Sequence, residues 1–100
     1  MAELNGHRIV ARRLDGPKRA PGWEMNPDTD ELFHVIDGHV EVIVMTAHGP
    51  ECIDLPAGAV FVIPRGHWHQ PAALEPWSLV FMTPGDTEWT EQQEPPPPAI

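Results

Sequence analysis

Gly58-Ala59-Val60-Phe61-Val62-Ile63-Pro64-Arg65-Gly66-His67-Trp68-His69 is the stretch that decides the fold. Its first half is an unbroken apolar run, rich in β-branched residues and too short for a helix, which predicts a buried strand. Pro64 ends the run, because proline lacks the N–H that a sheet ladder needs and fixes φ. Gly66 then permits a tight bend that presents His67, Trp68 and His69. A strand, an enforced stop and a histidine carried beyond a bend together describe a side chain positioned by a β scaffold.

Working outward, Glu31 to Met45 reads as a strand, a two-residue Asp37-Gly38 turn and a second strand, since Asp-Gly accepts the positive φ angles of a type I′ hairpin. In the second arm Val40, Val42 and Val44 share one face and should point into the core, with His39, Glu41 and Ile43 on the other. A turn around His48-Gly49-Pro50 leads to a short strand over Cys52 to Leu55, and Pro56-Ala57-Gly58 separates it from the apolar run. Trp77 to Thr83 forms a last strand stopped by Pro84-Gly85, and Arg8 to Leu14 and Ala20 to Met25 are upstream strands parted by Asp15-Gly16-Pro17.

The whole composition agrees with this pattern. Among 100 residues, 13 prolines and 8 glycines interrupt any long helix, and there is room for one domain only. The expected fold class is all-β: a closed barrel or sandwich of short antiparallel strands with little helix. Residues 1–85 form the barrel, and 86–100 form an acidic, proline-rich tail ending in Pro95, Pro96, Pro97 and Pro98, lying free or against the barrel.

Charge removes several classes of partner. A formal net charge of -9 opposes nucleic acid and anionic membrane, both of which require clustered cations. The basic residues gather early, at Arg8, Arg12, Arg13, Lys18 and Arg19, and read as a solvated strand region or a subunit contact. Cys52, the single cysteine, allows no intrachain disulfide and reads as a buried thiol. Residues Met1 to Val10 contain no apolar run, so a cytoplasmic location is the expectation.

Trp23-Glu24-Met25-Asn26 through Glu31 to Gly38 resembles the first motif of the cupin family, His-x-His, three or four residues, Glu, six residues, Gly. Glu31 and Gly38 keep the spacing, while Glu24 and Asn26 stand at the two histidine positions. Gly58, five residues, Pro64-Arg65-Gly66, two residues and His69 is similar to the second motif, with Ala73 at its closing Asn position. The resemblance implies a small cupin jelly-roll barrel, usually a homodimer, with both motifs lining the interior. In many members of that family a divalent metal sits there.

The candidate site is therefore Glu24, Asn26, Glu31 and His69. Glu24 and Asn26, two apart on an extended strand, point to one side. As a ligand set these four offer one nitrogen and three oxygens, which favours harder cations relative to a histidine-rich site; manganese, iron, nickel and zinc are the candidates. Without a metal, two carboxylates facing an imidazole make an acid/base pair, with His69 and Glu31 in the catalytic roles and Glu24 and Asn26 orienting a ligand. Phe33 and Trp68 are added as ligand contacts. His34 should face away from Glu31 and Phe33, toward the surface or a subunit contact, and His67 is placed near His69 with its direction open. The function expected is binding of a small polar or carbohydrate-like metabolite, by an isomerase, oxygenase or lyase, or by a metal-free sensor that performs no chemistry.

Overall fold

The computed structural model describes residues 2–4, 6–15, 18–19, 22–83, 87–90 and 96. Eleven strands follow one another: β1 (Ala2–Leu4), β2 (His7–Leu14), β3 (Lys18–Arg19), β4 (Trp23–Met25), β5 (Glu31–Asp37), β6 (His39–Thr46), β7 (Gly49–Pro56), β8 (Val60–Ile63), β9 (His69–Ala73), β10 (Trp77–Thr83) and β11 (Glu88–Thr90). A five-stranded sheet runs in the order β1-β2-β10-β5-β8, and a six-stranded sheet runs β11-β4-β9-β6-β7, with β3 added on β9. Every pairing is antiparallel. No helix occurs among the described residues, so none is long and apolar enough to cross a membrane. The all-β jelly roll expected from the sequence is the observed fold.

The core lies between the two sheets and follows strand alternation. Val40 and Val42 on β6 and Val35 on β5 are fully buried, joined by Phe33, Ile63, Leu79 and Trp77. Burying each such side chain contributes about 1.5–3 kcal/mol relative to leaving it in water. The valine face of β6 points inward as its period of two requires.

Four local expectations are overturned. Asp37-Gly38 does not close a hairpin: β5 pairs with β10 and β8, whereas β6 pairs with β7 and β9, so the chain passes between sheets at Gly38. Gly38 has φ +88°, the left-handed conformation that also suits a type I′ turn, so the dipeptide cannot distinguish a hairpin from a corner. The hairpin instead joins β6 to β7 through Ala47-His48, and β7 begins at Gly49 rather than at Cys52.

The apolar run over β8 is not buried on both faces. Phe61 and Ile63 turn inward, but Val60 is 59% and Val62 47% exposed, because β8 is an edge strand covered on one side only. Cys52 is exposed rather than buried, since alternation on β7 puts Ile53 and Leu55 toward the core and Cys52 on the opposite face. Residues 16, 17, 20, 84–86, 91–95 and 97–100 lie outside the described residues, and with them the expected Gly16-Pro17 and Pro84-Gly85 breaks and most of the proline run.

Candidate active site

Backbone hydrogen bonds bring the two distant motifs together. Gly66 N donates to the Asn26 carbonyl at 2.8 Å, and Arg65 N donates to Asp30 Oδ1 at 2.9 Å, which ties the bend after β8 to the loop between β4 and β5. Met45 N donates to the Trp68 carbonyl at 2.8 Å, fixing the entry to β9 against β6. Register then places Glu24 directly opposite His69 and Glu31 opposite Ile63. Gly66 adopts φ +77°, which lets the chain turn sharply enough to aim His69 inward.

The site has a definite electronic arrangement. His69 is fully buried. Its Nδ1 lies 3.1 Å from the His67 carbonyl oxygen, an acceptor, so Nδ1 carries the hydrogen and donates it. Nε2 then faces Glu31 Oε1 at 3.3 Å and Glu24 Oε2 at 3.9 Å, and it has no hydrogen-bond partner. One ligand atom from each of Glu24, Glu31 and His69 falls within 4.8 Å of the others.

Glu31 is buried while Glu24 is half-exposed. Burial pushes the Glu24 carboxyl above its ordinary range; His69 and Arg12 oppose this and the Glu31 charge adds to it. Asn26, also buried, is committed at both ends of its amide. Nδ2 donates to Glu31 Oε1 over 3.4 Å, and Oδ1 accepts from Thr87 Oγ1 at 2.8 Å. This orientation is the one the contacts require, because turning the amide over would set Oδ1 against a carboxylate.

All four residues expected at the site therefore converge, with Asn26 holding Glu31. Phe33 joins them by lining a cavity of about 330 Å³ between the sheets, together with Glu24 and Glu31. Trp68 is half-buried and outside that lining: neighbours on an extended chain face opposite ways, and His69 takes the inward direction. His67 turns its Nδ1 to the Met45 carbonyl at 2.8 Å, and half-buried His34 sits on the outer face opposite Val60 and Val80.

Sequence reasoning missed the cavity lining contributed by β2 and β10. Arg8, Arg12 and Leu14 on β2 line the cavity, as do Leu79, Phe81 and Thr83 on β10. The solvated basic strand foreseen for this region fits all three arginines in exposure, but only Arg13 points away from the cavity, to Asp37, while Arg8 and Arg12 stand in its lining. Both faces of β2 mix apolar and basic residues, Arg8, Val10, Arg12 and Leu14 against Ile9, Ala11 and Arg13, so polarity could not say which face turns inward.

Comparisons with known proteins agree with this architecture. A cupin-2 domain containing protein from Shewanella frigidimarina is 30% identical, the match covering 83% of this chain and 74% of that one with a TM-score of 0.68. A cupin superfamily protein from Desulfitobacterium hafniense is 17% identical over 86% of this chain and 73% of that one, TM-score 0.70. A hydroquinone 1,2-dioxygenase in complex with Cd2+ and 4-hydroxybenzonitrile is 20% identical over 85% of this chain and 61% of that one, TM-score 0.66. No curated protein gives a significant match. Residues 14–89 match the family described as "Cupin domain", and the chain belongs to the cupin family.

Proposed function

We propose that this protein is a divalent-cation-dependent enzyme acting on a small polar metabolite held in the barrel interior, with Glu24, Glu31 and His69 as the cation's ligands. One observation carries the reading. With Nδ1–H spent on the His67 carbonyl, the Nε2 lone pair of a neutral His69 faces two carboxylates at 3.3 and 3.9 Å in a buried setting. Negative charge against a lone pair is repulsive, and a positive charge among the three removes the conflict. An imidazole whose second nitrogen donates to a backbone carbonyl is the usual form of a metal-binding histidine.

The donor set, one nitrogen and two carboxylates, suits manganese or iron, with nickel and zinc as the other candidates. Such an ion, when bound, polarises an oxygen of the bound molecule as a Lewis acid. The protein's own contribution is positioning. Asn26 and Thr87 fix Glu31, and Glu24 faces the cavity where a ligand would stand. The dioxygenase of similar fold, crystallised with Cd2+, supports the cation reading.

A second reading rests on the approach of His69 Nε2 to Glu31 Oε1 at 3.3 Å and to Glu24 Oε2 at 3.9 Å, which also fits a shared proton. There the positive charge is a proton on His69 Nε2, and Glu24 with His69 or Glu31 forms an acid/base pair for isomerisation. Cation titration separates the two. Untagged protein is stripped with chelator, then titrated calorimetrically with Mn2+, Fe2+, Ni2+ and Zn2+, with elemental analysis of the protein as purified. The cation reading expects a single site per chain, lost in His69→Ala and weakened in Glu31→Gln. Absence of binding by every ion would leave only the proton. The proposal includes a subunit pairing: the protein acts as a homodimer.

A further inference from the structure

Three arginines on β2 meet different fates. Arg13 faces out and is neutralised, its Nη1 donating to Asp37 Oδ1 at 2.7 Å and to Ser78 Oγ at 2.6 Å. Arg8 and Arg12, both exposed to solvent, take the cavity side. Their cross-strand partners are Thr83 and Leu79, which also line the cavity, so register and lining agree on the direction. Among the described residues neither guanidinium makes an ion pair or a hydrogen bond, in a chain with 15 acidic residues against 6 basic ones. Arg12 is instead held by a ring: its guanidinium carbon lies 5.8 Å from the centroid of Phe81. The ring holds the group in place while leaving its N–H donors available, with the Glu24 charge within electrostatic reach.

We infer that Arg8 and Arg12 form an anion subsite that selects carboxylate-bearing ligands. A fixed guanidinium fork matches a carboxylate in geometry and charge. Glu24 from the other sheet and Glu31 from the same one share the lining and would repel a second anionic group, so the rest of the ligand is neutral and oxygen-bearing, a hydroxyl or keto group. Much of the remaining lining is apolar, with Leu14, Phe33, Leu79 and Phe81. A volume of about 330 Å³ is at the lower end for ligand pockets and admits a small molecule only. The ligand class is thus small hydroxy or oxo monocarboxylic acids. This assignment rests on the reading that the cavity is a small-molecule site, and it names what that site prefers.

Trp77 lines the cavity, so its fluorescence can report binding. The probes are lactate, mandelate and pyruvate, with lactamide, mandelamide and inorganic phosphate as comparators. At least one acid should bind about tenfold or more tightly than its amide, since a hydrogen-bonded charge pair has that magnitude. Arg8→Gln and Arg12→Gln should each bring acid affinity down toward that of the amide. Arg12→Lys, which keeps charge and stem but loses the fork, should fold as wild type does and still lose several-fold in acid affinity. Arg13→Gln, outside the cavity, should change nothing.

Equal affinity for acid and amide, binding of none of the acids, or acid binding undiminished in both glutamine variants would overturn the inference. Phosphate competing better than every acid would assign the subsite to phosphorylated ligands and overturn it as well. Cation titration of the same variants keeps the two proposals apart. Arg12→Gln that loses acid selectivity but retains the cation supports both, whereas arginine-dependent acid binding without any cation upholds this inference and removes the metal.

Discussion

A methyl group at position 38 would have to occupy space already filled by the Pro76 carbonyl oxygen, 2.4 Å from its carbon, and by Trp77 Cα at 2.7 Å. Backbone atoms cannot step aside as a side chain can, and φ +88° adds the ordinary cost of a left-handed residue. Gly58→Ala is the matched comparison: φ is +89° there, but nothing lies within 4 Å of the added carbon. Gly58→Ala should cost about 1–2 kcal/mol, the backbone strain alone, and Gly38→Ala clearly more, roughly 3 kcal/mol or above. Urea unfolding of the two variants checks the difference; equal losses would mean that the corner relaxes freely. One residue earlier, Asp37 gives a prediction in pH. The hydrogen bond from Arg13 holds its carboxyl below the ordinary value of 3.8, with Ser78 assisting and a smaller desolvation effect opposing. A depressed folded pKa contributes stability that is present above 3.8 and lost as pH falls through the folded value. Arg13→Ala should therefore raise the Asp37 titration midpoint measured by NMR. With both side chains 58% exposed, the accompanying change in stability should be slight and should shrink with added salt.

Strand β11 extends the sheet that carries the site: Glu88, Trp89 and Thr90 pair with Met25, Glu24 and Trp23. Just before it, Thr87 reaches Asn26, and through Asn26 the orientation of Glu31. Thr87→Val keeps the shape and removes the donor, leaving Asn26 Oδ1 without this partner. Because Thr87 is exposed, folding should be little affected, but cation affinity should fall roughly tenfold, the usual scale for a group that orients a ligand. Unchanged calorimetric affinity would mean that Glu31 is held without this chain of contacts. The same strands show what could be read in advance. Alternation on β6, the proline stop after β8 and the bend to His69 are local in origin, so the sequence already contained them. The destination of each strand edge is not local: Asp37-Gly38 suits a hairpin and a corner equally, and only the competing partners of β5 and β6 decide. For the same reason Glu24, Asn26, Glu31 and His69 could be found from spacing, whereas Arg8 and Arg12 could not. Their relevance depends on which face of β2 the other sheet covers.

On the scale of the whole molecule, the outer face of the five-stranded sheet is the feature that a lone barrel leaves without a purpose. Two cross-strand rows traverse it, Ala11–Val80–His34–Val60 and Ile9–Met82–Leu32–Val62, spanning four strands or roughly 15 Å at the usual spacing. All but His34 are apolar. Neither row contains a carboxylate, although the chain has 15 acidic residues, and Asp37 in the neighbouring row is neutralised by Arg13. Contiguous exposed apolar surface bounded by charge marks an association site. A second copy is the occupant that fits: a twofold axis would set the same rows against each other, apolar to apolar, and cover the outward valines of edge strand β8. The chain should then behave in solution as twice its 11.1 kDa, measured by light scattering after size exclusion. Val62→Glu and Met82→Glu would each place like charges across the axis and should convert the dimer to a monomer with the cavity intact, so that cation binding persists. Salt should tighten the wild-type association, because a net charge of -9 on each copy opposes it over long range. A wild-type protein that stays monomeric at micromolar concentration, or a dimer indifferent to both glutamates, would place the contact elsewhere and leave these two rows facing water.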